Sequence, residues 1–264
     1  MAQSTTLAID CGGGGIKASV LGDDGVMHAQ PVRTVTPYPL SPARLVTIIC
    51  ELADQLPPAA RLTVGMPGMI RRGVVVYTPH YICKAGPRTR IDPALETAWS
   101  GFDIQTALTE ALNVPALVLN DAEVHACGVV IGTGLEVVLT LGTGVGNAIF
   151  DAGVLQAHAE LSAAPLKWGL TYDDYLGEHE RLRLGDAHWS RRVRQVVEAL
   201  EPVFHWDRLY LGGGNARRIT PTNAARLGRK TMIIPNAAGI SGGVRAWQLC
   251  NQPASSHLNA GCET

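Results

Sequence analysis

The sequence has 264 residues, of which 46% are hydrophobic and 17% charged, with 29 glycines and a formal net charge of −1. This composition indicates a well-buried α/β protein, long enough for two halves of roughly 100–150 residues each. Scattered Lys and Arg exclude the basic surface of a nucleic-acid-binding protein. No apolar run is long enough for a membrane span, and the polar N-terminus is not a signal peptide. Six cysteines without a CxxC pair predict reduced thiols, so we expect a cytoplasmic protein with no nucleic-acid or membrane partner.

The first half of the chain alternates short apolar runs with runs of helical periodicity. Ser41 and Pro42 are typical of a helix N-cap and first helical position. Residues 79–98 lack periodicity and predict an irregular insertion beside a cleft. The predicted strands are Leu7–Asp10, Ile16–Leu21, one starting at Val26, one within Leu62–Gly68, Val74–Tyr77 and Ala116–Leu119, and the predicted helices are Ala43–Leu56, Ile104–Leu112 and Ala122–Val130.

The second half follows the same alternation with a longer irregular stretch after Val154. The predicted strands are Val137–Leu141, Leu209–Leu211 and Met232–Ile234, and the predicted helices are His188–Phe204 and Ile240–Leu249. Residues 251–264 are small and polar and predict a loose tail.

Two glycine-rich turns, about half the chain length apart, have matching surroundings. Gly12, Gly13 and Gly14 follow Asp10 at the end of one apolar run, and Gly142-Thr143-Gly144 follows another. Glycine lets main-chain N–H groups converge on an anion without a Cβ in the way. Ordinary hairpin turns also favour Gly and Asp. Because the context is duplicated and a third turn, Gly212-Gly213-Gly214, follows a later strand, the pattern favours a cleft for nucleotide or polyphosphate.

Six motifs in order carry a resemblance that covers roughly residues 6 to 249. They are Asp10-x-Gly12-Gly13-x-x-x-Lys17, Gly65-x-Pro67-Gly68, Trp99-x-Gly101, Asn120-Asp121-Ala122, Leu141-Gly-Thr-Gly-Val-Gly146 and Gly212-Gly213-Gly214. Together they resemble the ROK family of sugar kinases, most closely its polyphosphate glucokinase branch.

The resemblance implies an α/β, actin/hexokinase-like (ribonuclease H-like) duplicated two-domain fold with a central cleft. The domains would be residues 1–120 and 121–264, and the last helix, near 240–249, can pack back on the hinge. Family members with an N-terminal helix-turn-helix are repressors, and the few residues before Leu7 leave no room for one. The implied activity is therefore phosphoryl transfer from ATP or inorganic polyphosphate, with Mg²⁺, to a sugar or sugar-like acceptor, by a homodimer.

The resemblance also implies roles for individual residues. Asp121, at the end of a buried strand where α/β folds place catalytic groups, would be the general base for a sugar hydroxyl that Asn120 holds. The alternative is that the Asn-Asp pair caps the following helix, and both can hold at once. Asp10 would orient Mg²⁺, directly or through water, or else only start a turn. Lys17 would face phosphate or lie as a solvated strand residue. Phosphate and nucleotide would contact Asp10, Gly12, Gly13, Gly14, Lys17, Gly142, Thr143, Gly144, Gly212, Gly213 and Gly214.

The acceptor side departs from the family pattern. Where the family has Glu-x-Gly-His, with Glu and His both holding the sugar, this chain has Glu160-Leu161-Ser162-Ala163. Asp173 or Asp174 is a rough match for a further sugar-binding Glu, and His80 stands near a position where polyphosphate glucokinases often have an Asn. This departure leaves two alternatives to a glucose kinase: a kinase for a non-glucose acceptor, or an inactive ligand sensor.

Four other histidines show no metal-ligand spacing. We expect surface or helix-side positions for them: His125, His158, His179 and His188.

Overall fold

The computed structural model describes residues 4–235 and 238–250. Within these residues the strands are β1 (Thr6–Cys11), β2 (Ile16–Leu21), β3 (Val32–Thr34), β4 (Arg61–Met66), β5 (Met69–Arg71), β6 (Val74–Tyr77), β7 (Ala116–Asn120), β8 (Leu135–Leu141), β9 (Val145–Asp151), β10 (Val154–Leu155), β11 (Pro165–Lys167), β12 (Leu170–Thr171), β13 (Arg208–Gly212) and β14 (Thr231–Ile233). The helices are α1 (Pro42–Ala53), α2 (Pro93–Trp99), α3 (Ile104–Leu112), α4 (Asp121–Cys127), α5 (Tyr172–Leu176), α6 (Glu178–Phe204), α7 (Pro221–Ala224) and α8 (Ala238–Cys250). In this described part of the chain, none of the helices combines the length and the hydropathy that crossing a membrane would need.

Two five-stranded sheets share one topology. Their strand orders are β3-β2-β1-β4-β7 and β10-β9-β8-β13-β14. In the first sheet, β1 pairs antiparallel with β2, and β4 and β7 add in parallel on the other side of β1. In the second sheet, β8 pairs antiparallel with β9, and β13 and β14 add in parallel on the other side of β8. The two glycine-rich turns join β1 to β2 and β8 to β9, so they occupy equivalent places, as their matching sequence contexts predicted.

Local sequence explains where the main elements begin and end. Helix α1 starts as predicted, because the Ser41 hydroxyl accepts a hydrogen bond from the Arg44 N–H and Pro42 occupies the first turn. Helix α3 ends at Asn113, which adopts the left-handed conformation with φ 53°. The parallel strands β4 and β8 are buried almost throughout, as their continuous apolar runs require.

Helices α4 and α8 lie between the two sheets. The other helices cover the outer sides: α1, α2 and α3 contribute to the core of the first sheet, and α5 and α6 to that of the second. A third cluster of apolar side chains, including Ala126, Phe150, Tyr210 and Leu249, joins α4 and α8 to the second sheet. Helix α8 also reaches the first sheet, where the Thr63 hydroxyl donates to the Gly243 carbonyl at 2.7 Å. The element that carries Asp121 is thus fixed from both sides.

Two predictions about the first half need correction, and one strand was missed. The third strand does not start at Val26; only a single bridge forms there, between Leu21 and Met27, and β3 starts at Val32 because Pro31 has no N–H for the ladder. The insertion 79–98 is not wholly irregular, since α2 begins at Pro93 with Asp92 as its N-cap. Strand β5 was not predicted. Both missed elements are too short to show periodicity.

The second half holds more regular structure than predicted. Helix α6 begins at Glu178, ten residues before the predicted start, because its first part is largely charged and shows no apolar stripe. Gly185, at φ 73°, breaks this helix between the polar part and the periodic part. The stretch after Val154 contains the β11–β12 hairpin and α5. The predicted tail, 251–264, lies outside the described residues.

Contact between α4 and α8 depends on Gly242. A Cβ at this position would lie 1.9 Å from the Val124 carbonyl oxygen, so the two helix backbones would have to separate. We expect Gly242→Ala to lower the free energy of unfolding by roughly 1–3 kcal/mol, measured by denaturant titration. Gly14→Ala is the matched control, because nothing lies within 4 Å of its added Cβ. Equal stability of the two variants would contradict this packing argument.

Candidate active site

A cleft of about 710 Å³ opens between the two sheets, with the three glycine turns along it. It brings together fourteen of the sixteen residues predicted for the site: Asp10, Gly12, Gly13, Lys17, His80, Asn120, Asp121, Gly142, Thr143, Gly144, Glu160, Asp173, Gly213 and Gly214. The other two lie elsewhere. Gly14 is at the exposed tip of its turn, and Gly212 is buried at the end of β13, where a Cβ would meet the His125 ring.

The first glycine turn is held by hydroxyl groups from the segment after β3. Thr36 donates to the Gly12 carbonyl at 2.7 Å, and the Tyr38 hydroxyl donates to the Gly13 carbonyl at 2.9 Å. His80 and Pro87 pack against Gly13 so closely that a Cβ there would meet both. Two carbonyl acceptors are therefore satisfied within the protein, as the predicted anion site would require.

The second and third glycine turns are tied to each other. Gly213, at φ 83°, contacts the backbone of Leu141, and the Asn215 amide donates to the Gly142 carbonyl at 3.0 Å. The Asp173 carboxylate accepts from the Val145 N–H at 2.6 Å. Asp173 therefore supports the second glycine turn, and its role as a sugar ligand stays a prediction.

Asn120 joins the end of β7 to the start of α4. Its side-chain oxygen accepts from the Ala122 N–H at 2.8 Å, and Glu123 accepts from the Asn120 N–H at 3.0 Å, which completes a capping box. The Asn120 amide also donates to the Gly68 carbonyl at 2.8 Å. The helix-capping alternative is thus confirmed for Asn120. The role of Asn120 as a sugar ligand stays a prediction.

Asp121 occupies the first turn of α4, facing the cleft. Gly65 on the neighbouring strand allows this approach, since its Cβ would lie 3.2 Å from the Asp121 Cα. Burial, together with the negative charges of Asp10 and Glu160, raises the pKa of Asp121 to about 7, although the Ala122 N–H and the charge of His158 act in the opposite direction. Asp121 can therefore exchange a proton near neutral pH.

Asp10 is the last residue but one of β1 and also lines the cleft. Burial raises the pKa of Asp10, and its cross-strand partner Lys17 partly offsets that rise. The cleft thus holds several carboxylates, while Lys17 is the one Lys or Arg among its lining residues in the described part of the chain. Carboxylate oxygens are ligands that suit Mg²⁺, and an excess of negative charge favours a divalent cation.

Sequence reasoning placed His158 wrongly. Its side chain is 2% exposed, with Nδ1 3.2 Å from the Glu123 carboxylate and Nε2 3.5 Å from the Glu160 carboxylate. His125 is also buried and lines the cleft. The His-x-Glu spacing in an extended segment, which puts both side chains on one face, was the available signal for His158. Nothing in the sequence pairs it with Glu123, which is far away along the chain.

The chain is similar to known proteins in both sequence and structure. The ROK family model matches residues 6–158. The polyphosphate glucokinase of Mycobacterium tuberculosis is 26% identical over 260 residues, covering 92% of this chain and 91% of that protein. The structure of an inorganic polyphosphate/ATP-glucomannokinase from Arthrobacter sp. strain KM is similar with a TM-score of 0.74 and 27% identity, over 93% of this chain and 99% of that one.

A ROK family glucokinase from Streptomyces griseus, in complex with glucose and AMPPNP, shares the fold. The TM-score is 0.70 at 16% identity, and the similarity covers 95% of this chain and 100% of that one. The predicted fold class is therefore confirmed.

The raised pKa of Asp121 makes a stability prediction. The pKa of Asp121 is about 7 in the folded chain and 3.8 without burial, so the folded state binds the proton more tightly than the unfolded state. The stability that the protonated group contributes is therefore lost as the pH rises from about 3.8 through about 7. We expect Asp121→Asn to raise the free energy of unfolding at about pH 8 by roughly 1–3 kcal/mol, with a smaller gain at about pH 5. Denaturant titration at the two pH values tests this. A gain that is the same at both would contradict the burial of a charged carboxylate.

Proposed function

The chain belongs to the ROK family and is a sugar kinase, and we propose that it moves a phosphoryl group from ATP or inorganic polyphosphate to a hexose or sugar-like hydroxyl, with Asp121 as the general base. The observation that carries this assignment is the position of Asp121. Asp121 lines the cleft between two glycine turns, and its pKa of about 7 is close to neutral pH. A base with such a pKa is deprotonated often enough to accept a proton and still strong enough to remove one.

The phosphoryl donor is proposed to lie along the glycine turns. Main-chain N–H groups of the first and second turns would contact its phosphates, with Lys17 as the facing cation. Asp10 would hold Mg²⁺, directly or through water, and the remaining ligands would come from phosphate and water, as is usual for this ion. When bound, Mg²⁺ neutralises negative charge on the transferring group.

We favour a nucleotide over a long polyphosphate chain. A polyphosphate chain would need several cations along its path, whereas the lining contributes Lys17. The lining instead includes an apolar group that suits a planar base: Leu21, Val26, Met27 and Pro31. The names of the similar proteins include both donors, so each must be tried.

The acceptor is proposed to bind against Asn120, Glu160, His80 and Asp173. Ala163, which stands where the family has His, is exposed and offers no polar group. Hydrogen bonds from this chain to a sugar must therefore differ from those of a Glu-x-Gly-His site. Hexoses are the first candidates because the similar enzymes are named for glucose and mannose.

An inactive sensor is the alternative function. The missing family His motivates it, but a sensor has no need of two desolvated carboxylates, Asp10 and Asp121, whose burial costs stability.

We further propose, from the family resemblance, a homodimer that works in the cytoplasm.

Loss of the base should stop turnover. Wild-type protein and Asp121→Asn would be assayed with hexoses, amino sugars and polyols, with Mg·ATP and with polyphosphate. We expect Asp121→Asn to lower kcat by about 10²–10⁴-fold, because the acceptor hydroxyl loses its proton acceptor. Asp151→Asn, an exposed carboxylate on β9, is the control and should retain full rate. A folded wild-type protein that binds nucleotide without turnover on any acceptor would instead support the sensor.

The pH dependence should reveal the same group. Because Asp121 must be deprotonated to act, kcat/KM should rise with pH through a midpoint near the pKa of about 7 and level off above it. Initial rates at constant ionic strength across this range measure it. A rate that is already at its plateau near pH 5 would show that a different group limits the reaction.

A further inference from the structure

Three ionisable side chains form a continuous row behind the acceptor side of the cleft. His158 lies between Glu123 and Glu160, with side-chain exposures of 2%, 4% and 15%. On the far side of the row, the Ser162 hydroxyl donates to the second oxygen of Glu160 at 2.6 Å. Charged groups are almost never buried to this extent without a partner of opposite charge. Here one imidazole lies within ion-pair distance of two carboxylates.

The ends of the row differ in what they contact. Glu123 uses its other oxygen to cap α4 at the Asn120 N–H, at 3.0 Å, so it is anchored to the helix that carries Asp121. Glu160 and Ser162 line the cleft, whereas His158 does not. The row therefore connects the start of α4 with a carboxylate on the acceptor side.

The imidazole is charged in this setting. Burial opposes the charge, but contacts with Glu123 and Glu160 outweigh it and raise the pKa of His158 to about 9. The same contacts, with the Ser162 hydroxyl, hold the pKa of Glu160 below its ordinary value against the effect of burial. Without a cation between them, two carboxylates this close would repel each other, and Glu160 could leave its place.

We propose that His158 is a positioning residue, which holds the Glu160 carboxylate in place for hydrogen bonding to the acceptor; the proposal rests on the proposed kinase function. His158 itself does not touch the acceptor. In the family pattern, Glu160 would be joined by a second sugar ligand, a His, at position 163. Ala163 occupies that position in this chain, so Glu160 is the sugar ligand of this motif that remains. Through Glu123 and His158, the start of α4 thus supports one of the carboxylates proposed to bind the acceptor.

A double-mutant cycle tests the proposal. The variants are His158→Gln, Glu160→Gln and the double variant, with His188→Gln, an exposed histidine on α6, as control. We expect His158→Gln to raise the acceptor KM about 10–100-fold and to leave the KM for Mg·ATP unchanged. In the double variant, acceptor KM should equal that of Glu160→Gln within about threefold, because the two residues act as a unit.

The cycle separates failure of this proposal from failure of the kinase function. Acceptor affinity is also measured by calorimetry with the same sugars, so absence of wild-type turnover would count against the kinase alone. Independent, multiplying effects of the two substitutions, or an unchanged acceptor KM and Kd in His158→Gln, would overturn the positioning role. If His158→Gln does not fold, His158→Asn replaces it, since its neutral side chain also removes the charge between Glu123 and Glu160. It should raise the acceptor KM to a similar extent, and no change would overturn the proposal.

Discussion

The reciprocal hydrogen bonds between Asn120 and Glu123 are the constraint on which the site depends. They end β7 and start α4 within one residue, and so place Asp121 at the cleft with its backbone fixed. The Asn120 amide extends the constraint to the turn after β4, through the Gly68 carbonyl. Glu123 extends it in the other direction, to His158 and the acceptor side. A single capped helix start therefore sets the positions of groups from both halves of the chain.

Electrostatics in the cleft follow from this arrangement. Burial raises the cost of ionising Asp121, and the negative charges of Asp10 and Glu160 add to it. The protein keeps these carboxylates although neutral residues would be more stable there, which is the usual relation between a catalytic site and stability. Cations are distributed unevenly: Lys17 stands at the first glycine turn, while a protonated His158 stands behind Glu160. Divalent metal and phosphate are expected on the first side, and an uncharged polyol on the second.

Much of the fold was predictable because it rests on local patterns. Strand β2 has the predicted bounds because apolar and polar residues alternate along it. Helix α3 also has the predicted bounds, because its apolar residues recur with the 3.6-residue period of a helix. Helix α2 and the first part of α6 were missed because seven residues or a charged surface leave no periodic pattern. Strand β3 was misplaced since its partner strand, not its own composition, decides where pairing resumes after Pro31.

Sequence by itself determined the repeated hairpins with their glycine turns, the Asn-Asp pair at a strand end, and thus the family and the kind of chemistry. These features are short and contiguous, and their function depends on backbone conformation that the residue types dictate. Only the tertiary structure decided that Asp173 supports the Val145 N–H and that His158 is buried between two carboxylates. The contacts of Asp173 with Val145 and of His158 with Glu123 join segments far apart in the chain, and the pKa of a buried group depends on the charges that folding brings to it.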